Sequence, residues 1–205
     1  MACVSSGTVT VEGTGETGGT TEIPIPITTS AMSGYANQDK SPAGYEFVEG
    51  GNDITLTGNT WKSITLPQPL TVTAGMELVF TVASDQLGEI IGIGFETDQI
   101  WRNGGQALFQ LGGTDTVAGI FDQTYNSYEE DGGAVEFRID LSDHVGTTFN
   151  YLVVANDKDA GPETNTVTFS DIRVVTTAPA GNAPPVAVDG AFDMGSEASI
   201  VIDKS

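Results

Sequence analysis

Along residues 76–83 apolar and polar side chains alternate strictly, with Met76, Leu78, Phe80 and Val82 on one face. A period of two marks a half-buried strand. Residues 134–141 repeat it, with Val135, Phe137, Ile139 and Leu141 set against Glu136, Arg138 and Asp140. Shorter apolar runs lie at 45–48, 54–57, 61–66, 107–111 and 149–155, with a weaker one at 117–121. Pro67 and Pro69 are expected to interrupt the run at 61–66, which resumes at 70–73. Gly50-Gly51-Asn52-Asp53 and Gly58-Asn59 separate neighbouring runs and read as turns. Residues 166–175 begin with Val167 and Phe169 inward and end with Ile172 and Val174 inward, which predicts a bulge near Ser170-Asp171. No window carries a helical period.

The stretch GEIIGIGFETD, 88–98, organises the rest. Ile91, Ile93 and Phe95 fall on one face of an extended segment, and Ile90, Gly92 and Gly94 on the other. One face is bulky and the other nearly bare, so another group is expected to pack close to the glycines. Roughly nine to eleven short strands with turn signals between them predict an all-β fold. The expected architecture is a two-sheet antiparallel β-sandwich of the jelly-roll type, with a closed barrel as the alternative.

Composition divides the chain into three parts. Residues 1–30 are rich in Gly, Thr and Glu and read as a flexible tether, with IPIPI at 23–27 extended along the domain's edge. Residues 31–177 form the sandwich. Residues 178–205 begin with a linker, APAGNAPP, and PPVAVDGAF at 184–192 resembles the opening of bacterial cadherin-like or immunoglobulin-like repeats. Too few residues follow to fold such a module, so the natural protein is expected to continue past Ser205.

The 28 acidic residues outnumber seven basic ones, for a net charge of −21. That charge argues against nucleic acid and against anionic membrane surfaces. It also argues against direct binding of sulfated or uronic polymers unless a metal mediates, while supplying many oxygen ligands for calcium. No stretch approaches a membrane span. Cys3 is the one cysteine, so an internal disulfide is ruled out. Cys3 followed by VSSGT resembles the start of a mature bacterial lipoprotein, an anchored alternative to a freely secreted chain.

Two regions carry candidate chemistry. Asn156, Asp157 and Asp159 sit in NDKDAG after a buried strand, and Glu96 and Asp98 end the core strand 88–95. Asx residues at alternate positions beside a glycine wrap hard cations, so these five residues are the candidate calcium ligands. The alternative is an ordinary acidic loop, because Asp and Asn also favour turns. Asp39 and Asp171 are further candidates, the latter if the bulge turns it inward. Trp101, Arg102 and Asn103, with Tyr125 and Tyr128, place aromatic and polar groups in loops without strand periodicity. Flat apolar faces beside hydrogen-bonding groups are what pyranose rings require. Trp101 could instead plug the end of the sandwich, and Trp61, at a strand start, is expected in the core.

Several runs resemble a β-sandwich carbohydrate-binding module of bacterial secreted polysaccharide-degrading enzymes: YANQD at 35–39, EGG at 49–51, LTGNTWK at 56–62, GEIIGIGF at 88–95, FQL at 109–111 and ANDKD at 155–159. They span most of residues 33–175. Position 91 is Ile where the pattern has His, and GGTDTVAGIFDQ at 112–123 is less aromatic than the pattern. The resemblance implies a noncatalytic, secreted or surface-held module that targets a longer chain to a polysaccharide. A monomer within a multidomain protein is expected, with calcium as its cofactor. The head or spacer of a surface adhesin is the alternative. No nucleophile motif, phosphate loop or histidine metal site is present, and a carboxylate pair such as Glu89 with Glu96 means little among so many acids.

Overall fold

The computed structural model describes residues 19–40, 43–102, 104–115, 119–130, 132–159 and 164–177. The expected repeat start and the lipoprotein-like Cys3 lie outside these residues, as does Asn103. Twelve strands and two short 3-10 turns make up the regular structure among the described residues. In chain order the strands are β1 Thr20–Pro24, β2 Met32–Gly34, β3 Ala43–Phe47, β4 Ile54–Gly58, β5 Thr60–Thr71, β6 Met76–Ser84, β7 Ile90–Glu96, β8 Gln106–Gly112, β9 Phe121–Asp122, β10 Val135–Asp140, β11 Thr148–Asp157 and β12 Thr166–Thr177.

They form the predicted two-sheet sandwich. The first sheet runs β10-β6-β12-β4-β3, with β1 also on β12, and the second runs β2-β5-β11-β7-β8-β9. Every pairing is antiparallel except β8 with β9. Inward residues of both sheets meet in one core that includes Leu78, Phe80, Phe169, Ile93, Phe95, Phe109 and Leu152. Phe95 stacks on Phe149 at 5.6 Å, and Phe80 on Phe137 at 5.8 Å.

Three expectations need correction. The tether does not extend to residue 30: β1 pairs with β12, and Ile25 and Ile27 are buried in the core. Burying each isoleucine contributes about 1.5–3 kcal/mol, enough to hold a segment whose exposed residues looked disordered. The prolines do not end β5. Tyr151 of β11 opposes Thr65 and Phe149 opposes Leu70, so residues 66–69 have no ladder partner there and no amide hydrogen is required of Pro67 or Pro69. Asp171 lies at the predicted bulge, where register shifts between Ser170 and Arg173, but its φ of 53° turns the carboxylate outward onto Arg173.

The bare face of β7 is occupied as its glycines suggest. A Cβ on Gly92 would lie 2.5 Å from Cε1 of Phe121, and one on Gly94 would meet the Ala107 carbonyl. A ring edge can yield, whereas a paired backbone carbonyl cannot. Gly94→Ala should therefore destabilise the domain by about 2–3 kcal/mol and Gly92→Ala by about 1–2 kcal/mol. Urea denaturation midpoints check both the sign and the order.

Candidate functional site

Side chains on β7 alternate between two apolar clusters. Ile91, Ile93 and Phe95 point into the sandwich, while Ile90 joins Tyr35, Trp61, Leu108, Phe121, Val153 and Ala155 on the outer face of the second sheet. Trp61 is buried, as expected, but in this outer cluster. Trp101 lies over it from the loop after β7. Its ring meets Tyr35 at 5.8 Å and Trp61 at 5.5 Å, both edge to face at 83°, and Phe121 at 6.4 Å. Edge-to-face pairs of this kind are worth about 0.5–1.5 kcal/mol beyond area burial. Tyr35, Trp61 and Phe121 are buried, whereas Trp101 is half-buried and neighbouring Ile100 is 58% exposed.

The loop that presents Trp101 is strained. Gln99 and Arg102 adopt φ of 65° and 67°, which non-glycine residues avoid. Asp98 accepts the Ile100 amide at 2.9 Å, an Asx turn that sets the bend. The Arg102 guanidinium lies 5.5 Å from the Trp101 ring centre.

Glu96 closes the base of this loop. It is fully buried and accepts hydrogen bonds from the Tyr35 hydroxyl at 2.6 Å and the Thr97 amide at 3.1 Å. Burial pushes the Glu96 carboxyl up, against the downward pull of those two donors. Burial and the adjoining Glu96 push the Tyr35 phenol up. Both Glu96 oxygens are thus engaged by protein donors, and neither Glu96 nor Asp98 belongs to the acidic group that converges.

That group lies at the other end of β7, because Asp157 on β11 is in register with Ile90. Carboxylate oxygens of Glu89, Asp157 and Asp159 come within 4.8 Å of one another. The Asp159 amide donates to Glu89, Asn59 Nδ2 donates to Asp159, and Trp61 Nε1 donates to Asp157 at 3.3 Å. Asn59 is buried, and its Oδ1 has no hydrogen-bond partner. Three converging carboxylates, with no His or Cys among them, are a donor set suited to a hard cation. Asn156 does not fit that role. Its amide nitrogen donates to the Gly58 carbonyl at 2.9 Å, and its oxygen accepts from Asn165 at 2.9 Å. Asp39 is ion-paired with Lys62.

In the 125–128 loop, Tyr128 is a core residue. Tyr128 is 5% exposed, accepting from the Ser84 amide and donating to the Gly133 carbonyl, both at 2.8 Å. A ring so buried has no face for a sugar. Tyr125 is half-buried, edge-on to Phe109 at 5.7 Å, with its oxygen accepting from the Asp140 amide. The structure does not bring this loop into the Trp101 cluster. Sequence reasoning missed Glu89 as a member of the acidic group and Asn59 as the donor to Asp159. Both flank strand starts, and only the β5–β11–β7 register shows that those starts meet Asp157 and Asp159.

No family model and no curated protein matches the chain. Several solved carbohydrate-binding modules are similar in fold. A low-affinity xylan-binding module of family 86 from Roseburia intestinalis is 19% identical with a TM-score of 0.41, covering 80% of this chain and 98% of that one. A family 29 module from Piromyces equi is 11% identical with a TM-score of 0.41, covering 77% and 91%. The family 30 module of a Clostridium thermocellum cellulosomal cellulase is 15% identical with a TM-score of 0.39, covering 75% and 92%. These are distant likenesses, and the functional reading rests on this chain's own residues.

Asp157 provides a titration test. Burial first, then Asp159 and Glu89, raise its pKa from 3.8 to about 6, against the Trp61 hydrogen bond and Lys40. The folded state then holds this proton more tightly than the unfolded chain. Its contribution to stability is full below pH of about 4 and is lost as pH rises through about 6. With divalent ions chelated, melting temperature should fall over that window, and Asp157→Asn should flatten the slope.

Proposed function

We propose that the chain is a noncatalytic carbohydrate-binding domain that contacts a neutral polysaccharide through the surface centred on Trp101. The observation that carries this reading is the half-buried Trp101 held by a strained loop above buried Tyr35, Trp61 and Phe121. Backbone strain around an accessible ring needs a purpose that core packing does not supply. An aromatic face takes the C–H side of a pyranose, with Arg102 beside it as a hydroxyl-binding donor. One ring and a few hydrogen bonds give a weak complex, with Kd on the order of micromolar to millimolar. The net charge of −21 favours an uncharged polymer. In this reading the domain works outside the cell, as one module of a longer secreted or surface-held chain, and targets that chain to its polysaccharide.

Calcium completes the reading. Glu89, Asp157 and Asp159 would hold the ion beside Trp61 and fasten the end of β11 to the start of β7. Its chemistry there is structural: it offsets the charge of three crowded carboxylates.

Trp101→Ala should raise Kd for a bound polysaccharide by roughly five- to thirtyfold, about 1–2 kcal/mol, while leaving the melting temperature near that of the wild type. Isothermal titration and calorimetry measure the two quantities. Collapse of the fold in that variant would make the residue a plug. Addition of calcium to chelated protein should raise the melting temperature, and Asp159→Asn should abolish most of that rise.

A further inference from the structure

We propose that Glu96 and Tyr35 are positioning residues for the carbohydrate contact: together they hold Trp101 in its binding orientation without touching the sugar. This inference rests on the reading of Trp101 given above and deepens it. Both side chains are buried, Glu96 at 0% and Tyr35 at 1% exposure.

Trp101 belongs to the loop after β7 and leans on Tyr35, which follows β2. Both loops are bent by residues in the left-handed conformation: Ala36 and Asn37 directly after Tyr35, Gln99 and Arg102 on either side of Trp101. These are four of the five non-glycine residues with positive φ among the described residues. Such bends persist only where neighbouring contacts over-determine them. One carboxylate reaches both loops. Glu96 Oε2 accepts from the Tyr35 hydroxyl at 2.6 Å, and Oε1 accepts from the Thr97 amide at 3.1 Å. The Thr97 amide also donates to the Gly105 carbonyl at 3.2 Å, across the base of the loop, and the Thr97 carbonyl accepts from Asn150 Nδ2 at 2.7 Å. The first residue of the Trp101 loop and the ring against which Trp101 packs are thus tied to the same side chain at the end of β7.

An enclosed carboxylate is a poor source of stability. Burying it costs free energy, and a buried polar pair replaced on both sides by apolar groups of the same shape is often neutral or more stable. What this pair supplies is direction. Tyr35 meets Trp101 at 5.8 Å and 83°, so the place of the Tyr35 ring decides where the Trp101 ring can lie. The Tyr35 hydroxyl ties that ring to the last residue of a core strand. An apolar residue in place of Glu96 would fill the same space and leave both loops without this common anchor.

Preorganisation is what a weak binding site gains from such an anchor. A sugar that stacks on a ring already in place does not have to order the loop first, and that ordering is otherwise subtracted from affinity. The coupling runs both ways. Because the anchored loop is the one that binds, a bound sugar must in turn favour the Glu96 contacts.

The test compares wild type, Tyr35→Phe, Glu96→Met, Tyr35→Phe/Glu96→Met and Trp101→Ala on a neutral β-glucan, a xylan and a mannan. Affinity electrophoresis and melting temperature are measured for each. Glu96→Met leaves the Tyr35 hydroxyl buried without its acceptor and should lower the melting temperature. The double variant removes both polar groups and should recover most of that loss. Its affinity for the polymer that wild type binds should nonetheless stay about three- to tenfold below wild type. The indole N–H NMR signal of Trp101 should also shift or broaden in the free double variant. Affinity that returns to the wild-type value together with the melting temperature, with an unmoved indole signal, makes the pair structural only and overturns the inference. A Trp101→Ala loss in the same series then leaves the carbohydrate reading intact. A measurement on the unaltered protein is independent of any folding defect: a hexasaccharide of the bound polymer should slow hydrogen exchange at the Thr97 amide. Unchanged exchange at saturating hexasaccharide also overturns the inference. Failure of the wild type to bind any of the three polymers removes both readings together.

Discussion

A missing side chain sets the geometry of the candidate site. Because Gly92 has no Cβ, the Phe121 ring lies directly on the backbone of β7, and because Gly94 has none, β7 accommodates the Ala107 carbonyl of β8. The outer face of the second sheet is therefore low enough in its middle to hold a layer of rings. Tyr35, Trp61 and Phe121 fill that layer, and Trp101 closes it from above. Larger residues on β7 would lift Phe121 and with it the floor on which Trp101 rests. The accessible ring is thus a consequence of two glycines in a strand whose opposite face is packed with Ile91, Ile93 and Phe95.

The carboxylates at the two ends of β7 have different surroundings. At Glu96 the carboxylate is enclosed and answered by protein donors, the Tyr35 hydroxyl and the Thr97 amide. Tyr35 also touches Trp101, so one side chain links the carboxylate to the aromatic layer. At Glu89 the carboxylates of Asp157 and Asp159 come close, and each of the three accepts from one protein donor: the Asp159 amide on Glu89, Asn59 Nδ2 on Asp159 and Trp61 Nε1 on Asp157. Of the three, Asp157 has its carboxyl pushed up, by burial first and then by Asp159 and Glu89. Trp61 joins the second arrangement to the first through its bond to Asp157 and its contact with Trp101.

Much of the sandwich was legible because burial in a sheet writes itself as a period of two. The strands at 76–84, 135–140 and 166–177 follow that pattern, and the phase change at Ser170-Asp171 is a real register shift. Strands β1 and β2 were missed because their own residues are largely exposed and owe their pairing to β12 and β5. The glycine face of β7 and Trp101 could be read from local sequence. Tyr128 could not be told from a surface aromatic, since its burial depends on the distant Ser84 amide. By sequence Asn59 is a turn residue and Glu89 one acid at a strand start among many, and their place beside Asp157 and Asp159 appears only when three strand ends converge. Register, which is a tertiary property, separates the legible part from the rest.

The central claim is that Trp101 is an open ring whose face is taken by a sugar, and its own emission reports this directly. In a Trp61→Phe protein, Trp101 is the remaining tryptophan, since the chain has only two. Its fluorescence should be quenched by acrylamide in the free protein. A bound neutral polysaccharide should shift the emission and protect it. An emission that acrylamide cannot reach before ligand is added, or one that stays unchanged while binding is measured independently, would contradict the account.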